Sequence, residues 1–87
     1  MGRVDAFEVP GLRLWFNSSD HLPVHFHASR RGEWEIRVYF LLCSEGYLEY
    51  DLKWGDVPPR AELEAILRST LEHRGALLEE WEAKVCI

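Results

Sequence analysis

Two histidines placed two residues apart are the side chains of this sequence best suited to chemistry. His25 and His27 lie in "PVHFHA", directly after the segment "SSDHLP" that holds Asp20 and His21. Successive side chains of a β-strand point to opposite sides of a sheet, so residues two apart share a face. The spacing therefore predicts that both imidazoles lie on one face and Phe26 on the other.

A pair of imidazoles on one face is a partial metal site. Two histidines and a third ligand can bind zinc or another divalent transition metal. We predict the set His25, His27 and His21, with Asp20, Glu33 and Glu35 as alternatives for the third position. A His-x-His pair is a weak signal by itself, because alternating polar positions of a strand produce it by chance. The corresponding activities are metal binding and metal-dependent hydrolysis.

The segments around the histidines alternate in polarity as strands do. "GLRLWFN" places Leu12, Leu14 and Phe16 on one side, and "EWEIRVYF" places Trp34, Ile36, Val38 and Phe40 on one side. "YLEYDL" continues the alternation after the turn "SEG", and "RVDAFEVP" is a less regular segment near the start. Short connections favour antiparallel neighbours, so the pattern predicts a meander sheet of about four strands.

From Pro59 the hydrophobic period becomes helical. Leu63, Ile66, Leu67, Thr70 and Leu71 form one apolar stripe, and Leu77, Leu78, Trp81 and Val85 form a second one after Gly75. An unbroken helix would be about 40 Å long at 1.5 Å per residue, longer than a small sheet, so we predict a break between residues 73 and 75. The fold class is then α+β: a two-layer sandwich with two C-terminal helices on one face of the sheet.

The pairing of the histidine strand with the next strand follows from side-chain parity. Phe26 must pair with a residue of the Trp34 and Ile36 face, because a slip of one residue would exchange the two faces. A tight loop would place His27 opposite Glu33, with His25 opposite Glu35. A wider loop would place His27 opposite Glu35, with His25 opposite Arg37. In both registers the histidines lie on the sheet face away from the helices.

Length, charge and cysteine content restrict the class of protein. A chain of 87 residues forms one small domain, and a net charge of −5 argues against a nucleic-acid partner. Cys43 and Cys86 match no metal motif, and we expect reduced thiols in a cytoplasmic protein, with a single bridge as the alternative. No segment resembles a signal peptide or a membrane span.

Three motifs in order resemble a known family. "PVHFHA" preceded by "DH", then "GDVPPR", then "LEHRGALLEEW" are similar to a family of small uncharacterised bacterial proteins, domain of unknown function 4160. The resemblance runs from about Val4 to about Ala83. It places the family's histidine pair on His25 and His27, its helix entry on Gly55, Pro58 and Arg60, and its last motif on His73, Leu77 and Trp81.

The resemblance implies a partner rather than a reaction. Members of that family are described as encoded beside another small protein, an arrangement similar to toxin and antitoxin pairs. We therefore expect an interaction module that binds a protein partner or a second copy of itself, with a metal-binding protein or a metal-dependent hydrolase as the alternative. The predicted contact face carries Trp15, His25, His27, Glu35 and Tyr39, with aromatic anchors among charged groups.

Overall fold

The computed structural model describes residues 2–85, which form one antiparallel sheet and two helices. The elements are β1 (Gly2–Arg3), β2 (Arg13–Phe16), β3 (Phe26–Arg30), β4 (Trp34–Val38), β5 (Tyr50–Gly55), α1 (Arg60–Glu72) and α2 (Arg74–Lys84). The strands follow one another across the sheet in chain order. The predicted α+β class and the meander are confirmed, but the sheet has five strands rather than about four, because the N-terminal segment adds β1.

One hydrophobic core lies between the sheet and the helices. Strand β4 shows the alternation most clearly, since Trp34, Ile36 and Val38 are buried and the residues between them are only partly covered. Ile66 from α1 and Trp81 from α2 join the same core cluster. The helical stripes and the strand alternation therefore face each other, as the sequence pattern predicts.

The predicted break between the helices is present at His73. Helix α1 ends at Glu72 and α2 begins at Arg74, so a single residue separates them. The backbone N–H of His73 still donates to the Ser69 carbonyl at 3.0 Å, and its ring stacks on Phe7 at a centroid distance of 5.7 Å. A contact with the N-terminal loop therefore holds the corner between the helices.

The register of β3 against β4 differs from both predicted registers. Phe26 pairs with Val38 and His27 with Arg37, two residues further along β4 than the wide-loop alternative. The connection consists of Arg31, Gly32 and Glu33, so Arg30 and Trp34 already pair with each other. The side-chain parity is as predicted, but the turn is centred on Gly32, later in the chain than either predicted register requires, and the expected histidine to glutamate pairs are wrong.

Cys43 is a buried free thiol. Its side chain is 3% exposed, and burial raises the pKa of the thiol above its ordinary value, opposed by the hydrogen bond from the Glu49 backbone. Cys86 lies outside the described residues. Within the described part of the chain, no helix combines the length and the apolar character that crossing a bilayer requires.

Candidate metal centre

His27 occupies the middle of the sheet face that points away from the core. Trp15 of β2 pairs with His27, and His27 pairs with Arg37 of β4. Arg37 pairs in turn with Asp51 of β5, so these four residues form one row across the sheet. The Trp15 and His27 rings stack at a centroid distance of 5.2 Å. The site lies on this row of residues, which we call the floor of the site.

The segment from Asn17 to His25 folds back over this floor. The Asp20 N–H donates to the Asn17 carbonyl at 3.1 Å, and the Asn17 N–H donates to Asp20 Oδ2 at 3.0 Å. This turn directs the Asp20 carboxylate inward, so the histidines are covered: His25 is 6% exposed and His27 is 2% exposed. The histidine pair is therefore not open to solvent, because the preceding loop covers it.

Three side chains converge beneath the loop. His27 Nε2 lies 3.0 Å from Asp20 Oδ2 and 3.1 Å from Asp20 Oδ1. His25 Nε2 lies 3.5 Å from Asp20 Oδ1. One ligand atom from each of the three residues falls within 4.8 Å of the other two. In the part of the chain that the structure describes, this is the one cluster of metal-ligating side chains with that geometry.

The hydrogen bond of His25 fixes which ring nitrogen can bind a cation. His25 Nδ1 lies 2.8 Å from the Pro23 carbonyl oxygen, which can only accept. Nδ1 therefore carries the proton, and in the neutral ring Nε2 presents its lone pair. That lone pair faces an oxygen of the Asp20 carboxylate, which also only accepts when ionised.

Asn17 places a similar condition on His27. Trp15 Nε1 can only donate, so the Asn17 atom 3.1 Å from it is the acceptor Oδ1. Asn17 Nδ2, a donor, then lies 3.2 Å from His27 Nε2, which suits an unprotonated nitrogen. His27 Nε2 therefore has two alternatives. Unprotonated, it accepts from Asn17 and presents a lone pair to the Asp20 carboxylate; protonated, it donates to that carboxylate and gives up the bond from Asn17.

The second nitrogen of His27 faces another carboxylate. His27 Nδ1 is buried without a hydrogen-bond partner, and Glu35 Oε2 lies 3.9 Å from it. Glu35 is held in place by Lys53 Nζ at 3.2 Å and by Trp54 Nε1, which donates to Oε1 at 3.2 Å. Histidines that bind metals usually donate the other ring N–H to a carboxylate or carbonyl. Both histidines have such a group beside Nδ1.

Burial controls the charge of His27. Desolvation lowers the pKa of His27 below its ordinary value, and the neighbouring Asp20 carboxylate opposes this shift through its hydrogen bond and its charge. The neutral ring is the form that binds a metal, since a histidine must be deprotonated to act as a ligand. The environment therefore favours the ligand form at neutral pH.

Aromatic rings enclose the cluster. The His25 ring lies 5.0 Å from the His27 ring, 5.5 Å from Tyr39 and 5.6 Å from Trp81, measured between centroids. Contact with Trp81 of α2 is unexpected for a residue assigned to the face away from the helices. It arises because β3 begins at Phe26, so His25 lies just outside the regular pleat.

The predicted site residues are only partly brought together. His25, His27, Trp15 and Tyr39 lie in or around the cluster, and Glu35 lies behind His27. His21 is exposed and is absent from the cluster, and Asp20 occupies the third position instead. Glu33 is exposed in the turn before β4. The side chains of Trp15, His25 and His27 do not form an accessible contact face in this conformation, and binding of a protein partner stays a prediction.

Asn17, Lys53 and Trp81 complete the site, and the sequence pattern did not assign them a role there. Asn17 gives a usable signal, because the Asn and Asp of "NSSD" are typical of a turn closed by side-chain to backbone bonds. Trp81 follows helical spacing, which predicts a core residue, and it is indeed buried in the core. Its second contact, with His25, depends on the path of the loop.

Comparisons with known proteins agree with the motifs. The family model described as Domain of unknown function (DUF4160) matches residues 11–82, which include the loop, both histidines and most of the two helices. The searches of curated proteins and of solved structures gave no match. Because the matched segment covers most of the chain, this protein is a member of the DUF4160 family.

Proposed function

We propose that this protein is a metal-binding module that holds one divalent transition metal ion between Asp20, His25 and His27. The observation that carries the proposal is the convergence of three buried ligand atoms within 4.8 Å, among them the lone-pair nitrogen Nε2 of His25, which faces the Asp20 carboxylate. A cation at this point makes favourable contacts with all three groups at once.

The distances suit an ion of the size of zinc. Zinc to nitrogen or oxygen bonds of 2.0 to 2.2 Å in a tetrahedral site separate neighbouring ligand atoms by about 3.3 to 3.6 Å. The contacts of Asp20 with the two Nε2 atoms are 3.0 Å and 3.5 Å, so small side-chain shifts are enough to bind the ion. Two imidazoles with one carboxylate favour zinc and its neighbours in the transition series over magnesium or calcium, which prefer oxygen ligands alone.

Protons would stabilise the cluster of Asp20, His25 and His27 less well than a metal ion. One proton relieves the contact of Asp20 with one histidine only. Protonating both rings would place two imidazolium ions 5.0 Å apart, between centroids, in a buried cluster with a single facing carboxylate. The mutual repulsion and the loss of hydration of two such ions oppose that state.

The enclosure of the cluster favours a structural role for the ion over hydrolysis. The side chains of Asp20, His25 and His27 are 10%, 8% and 2% exposed. Three protein ligands leave a tetrahedral zinc ion one position for water, as catalytic sites do, but ligands this deeply buried leave little access for a substrate. The proposed ion joins the loop from Asn17 to His25 to the sheet and fixes the loop conformation.

The first experiment measures metal stoichiometry. Protein prepared without a histidine tag, incubated with Zn²⁺ and dialysed, is expected to retain about one ion per chain, since the cluster provides one set of ligands. Co²⁺ in place of zinc is expected to give visible absorption bands of a four- or five-coordinate site. Asp20→Ala is expected to lose both signals, and Glu72→Ala, at the end of α1, is the control that keeps them. A retained metal content near zero in the wild-type protein would end the proposal.

A second prediction concerns the group behind His27. Glu35→Gln keeps the size of the side chain but removes the charge that would accept the His27 Nδ1–H, and replacing such groups weakens metal binding by about 10- to 100-fold. Competition with a chromophoric chelator measures this change. The exposed Glu33→Gln is the matched control and should leave the affinity unchanged. Equal effects of the two substitutions would mean that Glu35 does not orient His27.

A further inference from the structure

A second concave site lies on the same sheet face, next to the row of His27. It is a groove of about 600 Å³ between the loop before β2 and the turn before β4. Arg13, Ser29, Glu35 and Trp54 form the adjacent row, because each pairs with the next across β2, β3, β4 and β5. Ser29 is the small residue in the middle of this row, so the groove lies above it. The lining also includes Trp15 and Arg31.

The charged side chains around the groove differ from those of the whole chain, which is acidic. Arg13 and Arg31 lie at its rim in a protein of net charge −5. The one carboxylate of the lining, Glu35, is neutralised by Lys53 at 3.2 Å and bonded to the Trp54 indole N–H at 3.2 Å. The carboxylate of the lining is therefore balanced by a lysine, and Arg31 suits an anionic group, since arginine binds phosphate and carboxylate with paired N–H donors.

Trp54 gives the groove a flat apolar wall. Its side chain is 45% exposed, although its ring orientation is fixed by the hydrogen bond to Glu35. An exposed indole that is held in one orientation is a surface on which a planar ring stacks without a large loss of side-chain freedom. The Arg13 guanidinium, which also lines the groove, lies over the Trp15 ring at 4.6 Å from its centroid.

We propose that this groove binds a planar aromatic anion of the size of a nucleoside monophosphate, with its ring on Trp54 and its anionic group at Arg31. A single small anion needs local positive charge only, so the acidic total that argues against a nucleic-acid polymer does not argue against it. The volume of the groove falls within the usual range for small-molecule sites. The groove contains none of the metal ligands, and the residues that it shares with the surroundings of the metal centre are Trp15 and Glu35.

The test compares three probes by calorimetry and by the indole N–H signals in NMR spectra. Adenosine monophosphate is expected to bind saturably and to shift the Trp54 signal. Adenosine and inorganic phosphate are each expected to bind on the order of tenfold more weakly, because each lacks one of the two contacts. Trp54→Leu and Arg31→Gln should each lower the affinity for the nucleotide on the order of tenfold, and Arg68→Gln on the exposed side of α1 should not.

Four results would overturn the proposal. The first three are no saturable binding of the nucleotide at millimolar concentration, equal binding of phosphate and nucleotide, and unchanged affinity in both groove variants. The fourth is a shift confined to signals other than Trp54, which would place the ligand elsewhere. Because Trp54 and Arg31 are exposed, both variants are expected to fold, and the NMR spectrum checks this directly.

Discussion

Gly55→Ala is expected to lower the free energy of unfolding by about 3 to 5 kcal/mol, the combined effect of a left-handed backbone conformation and a steric clash. Gly55 has a φ of +88°, and an added Cβ would lie 2.2 Å from the Glu33 carbonyl oxygen and 2.7 Å from Trp34 Cα. Both neighbours are backbone atoms, so no side chain can move aside. The same Glu33 carbonyl accepts the Asp56 N–H at 3.0 Å, which holds β5 against the turn.

Substitutions at two other glycines separate the contribution of the backbone conformation from that of the steric clash. Gly32 has a similar φ of +78° but open space around an added methyl group. Gly32→Ala should therefore lower the free energy of unfolding by about 1 to 2 kcal/mol from backbone conformation alone. Gly75 lies in α2, also with open space around an added methyl group. Gly75→Ala should therefore raise the free energy of unfolding by up to about 1 kcal/mol. Urea unfolding of the three variants measures the series. A Gly55→Ala value as small as that of Gly32→Ala would show that the backbone at the end of β5 moves easily.

The fold class follows from the sequence because burial fixes parity. Trp34, Ile36 and Val38 must face the helices, and any pairing that keeps them there also keeps Phe26 on the same side. The exact register is set by something else. The turn at Gly32 adopts a positive φ that lets Arg30 and Trp34 pair at once, and the hydrophobic pattern contains no information about where a turn closes. Parity was therefore predictable, and the offset of two residues was not.

The identity of the third ligand could not be predicted from the sequence either, because it depends on the conformation of a loop. Asp20 and His21 are adjacent, and both residue types bind transition metals, so sequence spacing cannot separate them. The structure separates them because the Asn17 N–H bonds to the Asp20 carboxylate, which turns Asp20 inward and leaves His21 exposed. The choice depends on one turn conformation, for which "NSSD" allows several forms.

Zinc is expected to raise the free energy of unfolding of the wild-type protein by about 4 kcal/mol when free zinc is about 1,000 times the dissociation constant. For a domain of this size, this corresponds to a rise in the melting temperature of about 15 to 30 °C. The physical reason is that Asp20, His25 and His27 are assembled only in the folded chain, so the ion binds the native state far better than the unfolded one. Thermal unfolding with zinc and with a chelator measures the difference.

The contrast between His27→Ala and His21→Ala decides which residues produce this stabilisation. His27→Ala loses a buried ring as well as a ligand, so its own stability is expected to fall even without metal. The informative quantity is therefore the zinc-induced shift, which should nearly vanish in His27→Ala and remain complete in His21→Ala, because His21 is exposed one residue beyond Asp20. A shift that disappears in His21→Ala would instead make His21 the third ligand and would require the loop to turn the other way around Asp20. A complete shift retained in both variants would mean that zinc stabilises the protein at a site other than this cluster.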